Sequence, residues 1–187
     1  PITSLVMTAG NMPGLPATST AVSSDDGQDA GITDSDQLVL QYLAESATED
    51  CEGNSVAAGK YVVARYFIGP DASNNNVPSL LCDGGSHVAM RTVAPDDVGT
   101  GSVVLVNGVD SFQVLYGIDD GVNGKPQVSR YVTATAYKAL GSNPPPILSV
   151  RLGLYLRSQE RAGDALPPAN AVQVLDKTIP VADVPVD

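Results

Sequence analysis

The run Ile147-Leu148-Ser149-Val150-Arg151-Leu152-Gly153-Leu154-Tyr155-Leu156-Arg157 limits what this chain can fold into more than any other segment. Its Leu148, Val150, Leu152, Leu154 and Leu156 recur at every second position, which places all five on one face of an extended strand. A helix, with its period of 3.6, would scatter them around its circumference. Asn143-Pro144-Pro145-Pro146 just upstream enforces an extended entry, because proline fixes φ and turns the residue before it away from helix. Burying one such side chain is worth roughly 1.5–3 kcal/mol. The expectation is therefore that this longest strand anchors the core.

Other segments point the same way. Gln37–Leu43, Tyr61–Ile68 (stopped by Gly69-Pro70) and His87–Val93 have the length and the apolar or β-branched content of strands. Val103–Val106 and Val109–Ile118 flank Asn107-Gly108, the strongest short hairpin dipeptide. One long strand kinked or bulged at that glycine fits equally well. Thr133–Leu140 is alanine-rich, with a threonine to cap it and Gly141 to end it, and reads as one short helix. Ile2–Met7 can pair onto a sheet edge, Thr18–Gln28 reads as an exposed loop, and Val172–Ile179 as a late strand. The 18 glycines and 14 prolines make turns plentiful. The predicted fold is mainly β, built of antiparallel sheets with one short helix near 133–140. Residues 1–187 read as a single domain: a loop-rich segment 1–35, a β core 36–160 and a tail 161–187 that looks truncated.

Charge narrows the function classes. A formal net charge of −11, with 10 bases dispersed among 21 acids, offers phosphates no electrostatic footprint. It also repels anionic lipid surfaces. No apolar run approaches the roughly 20 residues of a transmembrane helix. The chain starts at Pro1 with no Met and no leader, and reads as a mature or shortened piece. Cys51 and Cys82, 31 positions apart, lack the spacing of a redox pair, and the single His87 cannot complete a zinc tetrad. A structural disulfide in an exported protein is the favoured reading.

Chemistry is sparse. Asp119-Asp120-Gly121-Val122-Asn123-Gly124 is the one concentrated oxygen cluster beside a strand end. Asp119, Asp120 and Asn123 are thus candidate Ca²⁺ ligands. The alternating acids and closing glutamate of a calcium loop are missing, so an acidic turn is the preferred reading. His87 has no Gly-x-Ser-x-Gly elbow to serve, and no phosphate-binding glycine loop occurs. The expectation is a protein without catalytic residues or cofactors.

Ser35–Tyr42, Cys51, Leu81-Cys82-Asp83-Gly84, Val106–Asp119, Arg130–Ala134 and Ile147–Ser158 follow one another in an order that resembles the ectodomain of PilW-like type IV minor pilins, relatives of the J-type minor pseudopilins of type II secretion. The resemblance implies an apolar N-terminal helix, preceded by a leader that a prepilin peptidase removes, and carrying an early glutamate for subunit contacts. It makes the fold α+β once that helix is counted. It implies an inner-membrane-anchored periplasmic subunit that passes to an extracellular pilus tip, with other minor pilins and the major pilin as partners. Membrane contact would run only through the helix, which would cover one apolar sheet face. A secreted adhesin or ligand-binding β-module is the alternative, and a hydrolase with an unrecognised site a remote one.

Overall fold

Alternating and β-branched runs need partners for their backbone groups, and here they find them in two antiparallel sheets that face each other. The computed structural model describes residues 3–7, 22–25, 35–88, 98, 101–121, 124–158 and 171–180. The larger sheet has the order β1 (Thr3–Leu5), β2 (Leu38–Leu43), β5 (Lys60–Asp71), β6 (Val77–Val88) and β7 (Val103–Asn107). The smaller has the order β10 (Ile147–Leu156), β8 (Val109–Ile118) and β9 (Arg130–Val132). Two short hairpins, β3–β4 (Thr48–Glu49 with Ser55–Val56) and β11–β12 (Ala171–Val174 with Lys177–Pro180), complete the strands among the described residues. The mainly β, antiparallel architecture with one short helix matches the expectation.

Register decides the faces. Leu38, Tyr66 and Cys82 lie opposite one another, as do Leu40, Ala64 and Gly84. This face presents Leu38, Ile68 and Leu80 to Phe112, Val114, Tyr116 and Ile118 of β8, forming the main core. The reverse face buries Val39 and Val63 against Val6. At the centre of the main core, burial pushes the Tyr116 phenol well above its ordinary pKa.

Several local expectations change. β5 does not stop at Gly69-Pro70: Pro70 pairs opposite Pro78, beyond the point where β2 ends at Tyr66, so no donor is required on that side. The strand expected at His87–Val93 starts ten residues earlier, at Val77. Leu81–Gly85, whose aspartate and paired glycines suit a loop, lies inside it, and residues 89–93 fall outside the described set. Asn107-Gly108 is no hairpin, since β7 belongs to the large sheet and β8 to the small one. The chain crosses between sheets there, with Gly108 at φ +69. A Cβ on Gly108 would stand 2.9 Å from the Arg157 carbonyl oxygen, and the Arg157 N–H donates to Gly108 at 3.0 Å. The late strand is a hairpin turning at Leu175, φ +52.

The helix α1 (Ala134–Lys138) is capped by the Thr133 hydroxyl, which accepts from Ala136 N–H. A second cap comes from Asp25, whose carboxylate accepts from Ala134 and Thr135 N–H at 2.6 and 2.9 Å. Segment 22–25 is therefore not a free loop, and Ser23 is fully buried. Asp36 fills the edge of β8 beyond the reach of β9: Val114 N–H donates to Asp36 Oδ2 at 2.7 Å, and Asp36 N–H to the Phe112 carbonyl at 2.7 Å.

Cys51 and Cys82 are bonded with Cα atoms 6.2 Å apart, tying the β2–β5 connection to β6. Asp50 Oδ1 rigidifies that connection by accepting from Glu52 and Asn54 N–H, both at 2.9 Å. Glu52 Oε1 in turn accepts from Gly84 N–H at 3.1 Å. Gly84 must be glycine here, because a Cβ would meet Asp50 Cγ at 2.8 Å.

Two measurements follow. Reducing the disulfide, or replacing both cysteines by alanine, lowers unfolding free energy by about 3–4 kcal/mol in the loop-entropy description; an unchanged melting temperature contradicts this. Asp36→Ala strands the buried Val114 N–H and costs about 1–3 kcal/mol, read as a lower urea midpoint at constant m-value.

Candidate interaction surface

Directly opposed residues of an antiparallel pair share a face. Val150 stands opposite Tyr116, Leu152 opposite Val114 and Leu154 opposite Phe112. The β10 stripe thus points the same way as the most buried side chains of β8. Yet Leu148, Val150, Leu152, Leu154 and Leu156 are 41, 37, 56, 41 and 51% exposed. The expectation that this strand anchors the core is wrong. The partners that bury β8 come from β2, β5 and β6, whereas β10 is the outermost strand of its sheet and overhangs them. Its neighbour β8 carries the core.

The strand is nonetheless held firmly from behind. Ser149 Oγ donates to the Tyr131 hydroxyl oxygen at 3.2 Å, and the Arg151 guanidinium lies 3.7 Å above the Tyr131 ring centre. The Ser149 bond, with Arg151 helping, lowers the Tyr131 phenol below its ordinary pKa. Gly153 admits Val174 and Leu175 of the β11–β12 hairpin, whose atoms would stand 2.8 and 2.9 Å from a Cβ there. Arg157 closes the strand on Asp110 at 2.9 Å. Burial raises the Asp110 carboxyl above the usual range, while Arg157 pulls it down. β10 contains no acid in a chain of charge −11.

Local bonds hold the described acids of the 119–124 segment. Asp119 Oδ1 accepts from Gly121 N–H at 2.8 Å, and Asp120 pairs with Arg130 at 3.2 Å. Asn123 lies outside the described residues. Among the described residues no three His, Cys, Asp or Glu side chains come close enough to hold a metal ion. His87 is buried and stacked on Tyr61 with ring centres 5.3 Å apart. Its Nδ1 sits 3.1 Å from the Val88 carbonyl oxygen.

Arg65, which sequence reasoning missed, donates to Gln37 Oε1 at 2.7 Å and lies 3.3 Å from Asp83. Burial lowers its pKa and Asp83 opposes that shift. Both side chains are enclosed, at 9 and 1% exposure, so the pair braces the sheet and presents nothing to a ligand. Periodicity offered no signal for it, since Arg65 interrupts an apolar strand as an exposed residue would.

If the stripe is surface, polar substitution there is cheap. Leu152→Thr changes stability by less than about 1 kcal/mol, against the 2–5 kcal/mol of a core leucine truncation. It also reduces the fluorescence of a bound apolar dye.

Among the described residues no helix is long and apolar enough to cross a membrane. The profile of the family described as type IV pilus-assembly protein W matches residues 65–185, a span that includes β8, β10 and the crossing at Gly108. No curated protein and no solved structure matches the chain. On that match the chain belongs to the PilW family of type IV pilus-assembly proteins.

Proposed function

We propose that this chain is the ectodomain of a minor pilin, a structural and non-catalytic subunit that joins other minor pilins in the complex priming type IV pilus assembly. The observation that carries this reading is the uncovered stripe on β10. It continues the core face of β8 outward and runs roughly 27 Å at about 3.3 Å per residue. That is the length of some 18 helical residues at about 1.5 Å each. An apolar pilin helix laid along β10 would complete the core. A continuous exposed apolar band of this size marks a contact site. A disulfide fits a protein that works outside the reducing cytosol. In this reading the protein is anchored at the inner membrane by that helix before assembly and exposed at the pilus tip afterwards.

Mixing the chain with ectodomains of minor pilins from the same cell gives a co-eluting complex on size exclusion. In cells carrying the full gene, Leu152→Asp with Leu154→Asp reduces piliation at least about tenfold, while Val88→Asp, another exposed apolar position, leaves it intact. Separate elution together with normal piliation in the double variant sinks the proposal.

A further inference from the structure

An open strand edge invites another strand, and folded proteins normally close or blunt such edges. This chain does so almost everywhere. β1 and β9 are only three residues long. β7 is interrupted by a register shift opposite Leu80 and Leu81. β6 loses β7 as a partner after Cys82, and there the disulfide and Glu52, bound to Gly84 N–H, occupy the edge. β8 loses β9 before Tyr116, and there Ser35 and Asp36 take over, accepting from Phe112 and Val114 N–H. β10 is the exception. Its register with β8 shifts only near its ends, between Ile147 and Ser149 and between Tyr155 and Leu156. Along the regular stretch Ser149–Tyr155 nothing among the described residues pairs with its outer side, and the strand holds neither proline nor acid.

The direction of its backbone groups follows from β8. Phe112 and Val114 turn their N–H groups toward Ser35 and Asp36, away from β10. Alternation then aims Gln113 and Leu115 at their β10 partners, Gly153 and Arg151. The N–H and C=O groups of Val150, Leu152 and Leu154 consequently face the open edge.

We infer that this edge docks a second copy of the chain, β10 against β10 antiparallel, about a two-fold axis at Leu152. The strand is self-complementary in that register. Within the regular stretch Ser149–Tyr155, Val150 falls opposite the partner's Leu154, and Leu152 opposite its own mate. On the other face Ser149 meets the partner's Tyr155 and Arg151 meets the partner's Gly153, so no like charges are opposed. Moving the axis to Arg151 sets that arginine against itself, and moving it to Leu154 sets Arg151 against the partner's Arg157. The outward groups of Val150, Leu152 and Leu154 then supply roughly six interchain hydrogen bonds. Two chains of charge −11 repel, and β10 offers them an acid-free line of approach. The two copies form one six-stranded sheet whose apolar face is doubled in width. The pairing uses the edge of β10 and leaves its face available, so it goes beyond the pilus reading and does not depend on it.

Cysteine cross-linking reads the register directly, because the two native cysteines are bonded to each other. Under mild oxidation Leu152→Cys gives a covalent dimer. Val150→Cys or Leu154→Cys alone does not, and the two mixed together do, since opposed Cα atoms about 5.5 Å apart suit a disulfide. By sedimentation the unmodified chain dimerises with a Kd on the order of 10–100 μM, as expected of a small interface. Leu152→Pro removes an outward N–H that β8 does not use, and it weakens dimerisation at least about tenfold. A monomer at about 200 μM, or a dimer in which mixed Val150→Cys and Leu154→Cys fail to cross-link, overturns the inference. A monomer that still binds sibling pilins overturns it while leaving the pilus reading intact.

Discussion

Every strand of this protein has backbone groups that a neighbour must satisfy, and the junction of the two sheets is where that demand is hardest to meet. β9 is too short to cover the edge of β8, so Val114 and Phe112 would be left with buried, unpaired N–H groups. Asp36 and Ser35 supply the missing acceptors, and Asp36 does so immediately before the chain enters β2 of the large sheet. One short segment therefore links the two sheets. Because an unmade buried hydrogen bond costs more than a made one gains, this polar contact supports the junction beside which Leu38 and Ile68 meet Phe112 and Val114. Gly108 makes the same join from the other side, where the chain crosses between sheets too tightly for a Cβ.

The distribution of polar and apolar groups then becomes intelligible. Charged side chains lie inside where they replace a missing strand or brace a sheet: Asp36 on β8, and Asp83 with Arg65. Leucines lie outside on β10, because the large sheet stops short of it. A fold with a polar device at nearly every edge and an apolar stripe at one is suited to assembly with other subunits, as membership of a pilus-assembly family implies.

Much of the fold was legible locally. The short helix, β2, β5 and β8 follow from periodicity, β-branched content and capping residues, which act within a few positions. Strand ends were less legible. Pro70 and the Leu81–Gly85 run carry the chemistry of loops, yet both lie in strands: Pro70 because β2 does not reach it on its other side, and Gly84 because Asp50 needs the space of its side chain. Asp36 gave no local sign of its role, since its partner Val114 is 78 positions away. The carboxylates of Asp119 and Asp120, by contrast, are bound within about ten residues.

The stripe of β10 divides the two sources of information most clearly. Spacing by two was enough to establish that Leu148 to Leu156 form one face of a strand, because side-chain direction in an extended chain alternates residue by residue. Whether that face is covered depends on where β10 stands in its sheet and how far the opposing sheet extends. Those are contacts between segments some 40 to more than 100 residues apart. Periodicity specifies the apolar face, and only tertiary packing decides whether it is core or surface.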